Sequence, residues 1–241
     1  IDINLIERAF QDRELLKQEP VRAQVLQIID MLNRGELRVA EKCGTQWHVN
    51  EWVKKAVLLY FPLCGMETME CGPMEFHDKI PLKHGYAEAG VRVVPHGVAR
   101  HGAYLAPGVV VMPSYVNIGA HVGENTMVDS WVTVGSCAQI GRNVHLSSSV
   151  VIGGVLEPVQ AAPVIIEDNC FIGAGSVVVE GALIEEEAIL AAKTVVTGST
   201  HIIDITGPEP VEYRGRVPAR SVVVPGSYAR QYPAGQYQVA C

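Results

Sequence analysis

An apolar residue recurs every six positions through the second half of this 241-residue chain. The series starts at Val98 and continues through Tyr104, Val110, Val116, Val122, Val128, Val134, Ile140, Leu146 and Ile152. It resumes at Ile166 and runs through Ile172, Val178, Ile184 and Leu190 to Val196. Four places after each lead stands a small or β-branched residue, from Gly102 and Gly108 to Thr194 and Thr200, with Leu156 the one exception. No α-helix has a period of six, and a strand alternates every two. The hexad repeat therefore predicts a parallel β-helix. Each hexad supplies one short strand and one corner, and three make a triangular coil of about 18 residues stacked at roughly 4.8 Å. The leads are expected to point into the prism, because only stacking gives such a coil a core. Sixteen hexads amount to about five coils. A β-sandwich, the alternative with many short strands, spaces its turns less regularly, at about 8–12 residues.

Composition narrows the function. A net charge of −7 leaves no basic surface for nucleic acid. No apolar run is long enough to cross a membrane, and the opening residues carry no signal-peptide pattern. The six cysteines are scattered without a C-x-x-C pair, so a reduced, cytoplasmic compartment is expected. Cys137 and Cys170 fall inside the repeat, where a thiol serves as a small buried hydrophobe.

Ahead of the repeat, residues 1–34 carry two helical apolar stripes, separated at Pro20 and closed by Gly35. Leu37–Ala40 and Gln46–Val49 flank Gly44 as a hairpin, and Asn50 is placed to cap a helix running to Tyr60. Residues 62–90 read as irregular. The expected division is a mostly helical domain over 1–91, the β-helix over 92–206 and a short β extension over 207–241. The step from Ile152 to Ile166 is fourteen positions instead of twelve, so the segment 153–164 is expected to leave the prism as a loop, a common carrier of function. Pro208–Arg220 reads as a surface excursion and Ser221–Val224 as a final strand.

Candidate chemistry is sparse. Asp129 follows the lead of the hexad VDSWVT, beside Trp131. It could orient or deprotonate an amine, or it could bond backbone amides at a corner, as Asp often does. Arg92 could grip a carboxylate bidentately or form a surface ion pair. His121 and His145 are 24 residues apart and so lie on different faces, which argues against a metal triad; no metal site is expected. Glu185, Glu186 and Glu187 read as a solvated corner, and Lys193 as a surface lysine able to meet a phosphate. There is no P-loop, Rossmann fingerprint or nucleophile elbow.

Several segments carry a more specific signal: LRVAEK at 37–42, WVKKAVLL at 52–59, RVVP at 92–95, MPSYVNIGA at 112–120, TMVDSWVTVGSCAQIGRNVHLS at 126–147, IGGVLEP at 152–158 and IIEDNCFIGA at 165–174. Together they closely resemble the tetrahydrodipicolinate N-succinyltransferase family over nearly the whole chain. The resemblance implies a left-handed β-helix, a homotrimer with active sites between subunits, and succinyl-CoA as co-substrate with no permanently bound cofactor. It implies that Arg92 and Asp129 are substrate-site residues, with Asp129 catalytic, and that the acceptor is an amino-dicarboxylate of the diaminopimelate route to lysine. Trp131 and Glu157 are further candidates for the substrate, and Gly154, Ala174, Gly175, Ala192 and Lys193 for coenzyme A. Two positions depart from the family pattern GARSEVVEG: Gly175 replaces its Arg and Val177 its Glu. Glu157 and Glu180 are candidate replacements for that carboxylate. The lost Arg is expected to weaken any grip on a carboxylate-bearing acyl group. The departures leave two alternatives: a specialised relative using acetyl-CoA or a lysine-like acceptor, and a non-catalytic trimeric binding protein.

Overall fold

The computed structural model describes residues 1–241. Three parallel sheets form its second half, and the chain passes from one to the next at each corner. Face 1 stacks Arg92–Val93, Val110–Val111, Met127–Val128, His145–Leu146, Phe171–Ile172, Ile189–Leu190 and Val222–Val223. Face 2 stacks Val98–Ala99, Tyr115–Val116, Thr133–Val134, Val151–Ile152, Val177–Val178 and Val195–Val196. Face 3 stacks Tyr104–Leu105, His121–Val122, Gln139–Ile140, Ile165–Ile166, Leu183–Ile184 and Arg216–Val217. This is a left-handed parallel β-helix, longer than the expected five coils.

From Val116 onward the leads fill the prism; Val122, Val134, Ile140, Leu146 and Ile152 are fully buried. The first coil is offset by one. Val98, Tyr104 and Val110 face outward, and Ala99, Leu105 and Val111 take the inward places. The cause lies at Met112-Pro113-Ser114. Most corners place the fourth hexad residue in the left-handed region, as at Asn125, Trp131, Asn143, Ser149, Asn169 and Lys193. Pro113 cannot adopt positive φ, and this corner closes with one residue fewer. Gly102 and Gly108 accordingly hold the left-handed place, and the buried corner residues are Ala103 and Val109.

The helical part also departs in detail from its sequence pattern. Helices α1 (Ile3–Gln11), α2 (Glu19–Arg34) and α3 (Glu51–Leu63) are joined by a 3₁₀ turn at Arg13–Lys17 and a hairpin of Ala40–Cys43 with Gln46–Val49. Pro20 lies in the first turn of α2, where a missing N–H costs nothing; the break falls before it. Gly35 ends α2 at φ 75°, as expected. Asn50 precedes α3 without capping it, because its Nδ2 donates to the Arg38 carbonyl at 2.9 Å. Within 62–90 lies a hairpin, Glu67–Cys71 with Met74–Asp78. Its strands are largely exposed and lack apolar alternation, so nothing in the pattern signals it.

The helices cover face 3. Ile118 and Cys137 of the prism belong to the helical core cluster. Arg38 Nε donates to Gln139 Oε1 at 3.0 Å, Trp47 Nε1 to Glu167 Oε1 at 2.7 Å, and Lys83 Nζ to the Asn33 carbonyl at 2.8 Å. Faces 1 and 2 stay uncovered. Past Val196 the chain leaves as a hairpin of His201–Asp204 with Val211–Arg214, then re-enters at Arg216–Val217. The prism therefore runs to Val223, beyond the boundary expected at 206, and the excursion precedes Arg216 instead of spanning Pro208–Arg220. A last hairpin pairs Ser227–Tyr232 with Gly235–Ala240.

The offset first coil is testable by paired truncations. Leu105→Ala should lower stability by about 2–5 kcal/mol, and Val98→Ala by clearly less, because its side chain faces outward. Thermal midpoints of the two variants check this; equal losses would contradict the offset.

Candidate active site

Six of the predicted residues come together on the corner between faces 1 and 2. The hexad places Asp129, Ser130 and Trp131 on one coil, with Ser147, Ser148 and Ser149 above them. Gly173, Ala174 and Gly175 follow, then Ala191, Ala192 and Lys193. The corner is knitted by main-chain bonds. Trp131 N–H donates to the Pro113 carbonyl at 2.6 Å, Ser149 to Ser130 at 2.9 Å, Gly175 to Ser148 at 2.9 Å and Lys193 to Ala174 at 3.0 Å. Only small side chains stand along this corner between Asp129 and Lys193.

Asp129 is half-buried and held by two donors. Its Oδ1 accepts from the Ser130 N–H at 2.6 Å and its Oδ2 from Ser148 Oγ at 3.2 Å. The corner-bonding reading is thus correct for one oxygen, while the other faces the serine row and keeps a free lone pair. Trp131, at φ 63°, projects its ring with 72% of its surface exposed, and a cavity of about 290 Å³ opens beside it toward His96 and Tyr115. A rigid corner pays for Trp131's left-handed backbone, a conformation that costs roughly 1–2 kcal/mol.

The remaining candidates lie elsewhere. Arg92 is exposed on the lowest rung of face 1, two rungs below Met127. Gly154, Glu157 and Glu180 belong to the corner between faces 2 and 3, so a single prism does not bring them to Asp129. Val177 points outward from face 2 and is half-buried. His121 and His145 sit on faces 3 and 1, as their spacing implied. The His121 ring packs on Tyr104 with centroids 4.8 Å apart and its Nδ1 has no partner. Burial, with Arg38 nearby, lowers its pKa to about 3. His145 stacks on Phe171. Burial pushes the Cys137 and Cys170 thiols up to about 12, in keeping with a packing role. The Glu185–Glu187 corner is less solvated than expected: Glu185 pairs with Arg216 and Glu187 with Arg220, tying one coil to the next.

Lys54 is a residue that sequence reasoning missed. Fully buried in α3, it sends Nζ to the Pro158 carbonyl at 3.2 Å and the Ala161 carbonyl at 2.8 Å, and so pins the loop that displays Glu157. Burial lowers its pKa. Its place next to Val53, on the apolar side of α3, was the one available signal.

Comparison with known proteins agrees along the chain. Residues 3–63 match the family model described as tetrahydrodipicolinate N-succinyltransferase N-terminal. Residues 119–154 match bacterial transferase hexapeptide (six repeats), and residues 163–198 match hexapeptide repeat of succinyl-transferase. A protein of Acinetobacter baylyi named 2,3,4,5-tetrahydropyridine-2,6-dicarboxylate N-succinyltransferase is 54% identical over 92% of this chain and 85% of its own. One of the same name from Sodalis glossinidius is 49% identical over 98% of this chain and 88% of its own. A solved chain from Campylobacter jejuni aligns at TM-score 0.48 and 19% identity, over 90% of this chain and 62% of that one.

His121 gives a pH signature with a definite sign. Its folded pKa lies near 3, against about 6.5 unfolded. Between those values the unfolded chain binds the extra proton, so stability falls as pH drops from 6.5 toward 4. His121→Phe should flatten this acid limb, read as the thermal midpoint against pH; an unchanged slope would contradict the neutral assignment.

Proposed function

The chain belongs to the tetrahydrodipicolinate N-succinyltransferase family, and on that premise we propose that it transfers a succinyl group from succinyl-CoA to the amine of an amino-dicarboxylate on the diaminopimelate route to lysine. The observation that carries this is the anchored Asp129 carboxylate at a rigid, open corner beside Trp131. The acceptor amine donates to Asp129, and its nitrogen attacks the thioester carbonyl carbon. A C–N bond forms, the C–S bond breaks, the amine proton passes to Asp129 and the thiolate of coenzyme A leaves. Arg92 holds an acceptor carboxylate, and the N–H groups near Gly154 and Ala174 line the thioester and pantetheine path, with Ala192 along it. Most of the rate then comes from alignment, worth roughly 7–11 kcal/mol in well-oriented reactions. That accommodates Val177, because proton transfer alone contributes about 10²–10⁴-fold.

The site is proposed to lie between subunits of a homotrimer. Faces 1 and 2 support this with outward apolar residues left uncovered, among them Phe171, Ile189, Val195 and Val222. A neighbouring copy would bring its corner with Glu157 and Glu180 toward Asp129. A cytoplasmic location is supported by six unpaired cysteines. No helix is long and apolar enough to cross a membrane.

Val177 and Gly175 favour a second reading, in which a relative of altered taste uses acetyl-CoA or a lysine-like amine. Steady-state rates with both donors and both acceptor types separate the two. A clear preference for succinyl-CoA with the pimelate-type acceptor is expected; a preference for acetyl-CoA would sink the first reading. Asp129→Asn should cost about 10²–10⁴-fold in kcat/KM, with an unchanged thermal midpoint. Light scattering should return three times the 26.1 kDa chain mass.

A further inference from the structure

Lys193 is exposed, yet its side chain folds down along the corner instead of extending freely. A Cβ built on Gly175 would lie 2.7 Å from Lys193 Nζ and 3.0 Å from its Cδ and Cε. The far half of the lysine therefore rests on the bare α-carbon of the glycine one coil below. Its backbone sits at φ 64°, a conformation that costs free energy for any residue with a Cβ. Gly175 has φ 67° and leaves the seat open. Lys193 takes part in no ion pair. An uncompensated ammonium is thus laid along the corner row that Asp129 begins two rungs below, and the corner residues between them, Ser147–Ser149 and Gly173–Gly175, carry no charge.

We infer that the Lys193 ammonium, seated on Gly175, is a carboxylate subsite for the far end of the acyl group on the thioester donor. The inference rests on the acyl-transfer reading of this corner. Its support is a matter of span. The lysine tip lies at the rung of Gly175, two rungs above Asp129, which is roughly 10 Å. An amine bonded to Asp129 within about 3 Å and a thioester carbon about 3–3.5 Å beyond it cover the lower part. Three carbon–carbon bonds of about 1.5 Å then lead from that carbon to the carboxylate of a four-carbon diacid, and a charge-assisted bond of about 2.8 Å follows. End to end these segments reach about 13–14 Å, so a bent chain spans the gap. An acetyl group stops short and leaves the ammonium unpaired. The cation missing at position 175 is in this way supplied from the next coil, and the absence of a side chain at Gly175 is what admits it.

The test is isothermal titration of the full-length protein with succinyl-CoA and with acetyl-CoA, without acceptor. The wild type should bind succinyl-CoA about tenfold to a hundredfold more tightly. Lys193→Met should remove that difference. Gly175→Ala should reduce it too, since the added methyl displaces an ammonium that is still present; thermal midpoints confirm that both variants fold. Equal affinities in the wild type, or a succinyl preference that survives in Lys193→Met, would overturn the subsite. Turnover distinguishes the broader reading: a succinyl preference lost in Lys193→Met, but with no transfer to any amine, supports the subsite and refutes the transferase reading.

Discussion

The molecule depends on the parallel backbone ladder that joins each coil to the next. Every strand is short, two residues in most cases, and none could persist alone. Each is held because its N–H and C=O groups are satisfied above and below, and because its inward side chain stacks on another of similar shape. Corners matter as much as strands. A residue in the left-handed region reverses the chain and lends its own N–H to the coil beneath, as Trp131, Ser149, Gly175 and Lys193 do. The same bonds that build the prism therefore fix the row of side chains along its edge. A site placed there inherits its precision from the ladder.

The helical domain contributes in a different way. It seals one of three faces, and its polar ties reach specific rungs: Arg38 to Gln139, Trp47 and Lys42 to Glu167. Those contacts leave two faces and the corner between them open, which is where Asp129 lies. Lys54 extends the influence of α3 to the loop beyond Ile152. A buried ammonium that has only carbonyl partners is costly to retain. Its presence shows that the loop's position is strongly specified.

Much of the fold was legible because a hexad repeat has few physical realisations. The leads from Val116 to Val196 could be assigned from sequence alone, and the face of each histidine followed from its spacing. What escaped was local. Pro113 shortens one corner by a residue, and the apolar residues at Val98, Tyr104 and Val110 kept an apparent period across it. Glu67–Asp78 alternates too weakly to announce a hairpin, and Arg216–Val217 rejoins the prism after a detour that breaks the count. At the site, the grouping of Asp129, Trp131, Gly175 and Lys193 was implicit in the period. The lean of Lys193 onto Gly175 was not, because rotamers and free space are absent from a sequence pattern.

The hairpin that interrupts the prism after Val196 has a consequence for the molecule's length. A stack of parallel strands ends in unpaired hydrogen-bonding groups, and such an edge invites another molecule to continue it. Ile202 and Tyr213 of that hairpin pack against the prism core near its upper end, and Tyr86 and Val91 pack against it near the other. They act as stoppers. Without them the same repeat would offer its open ends as a template for pairing with another copy.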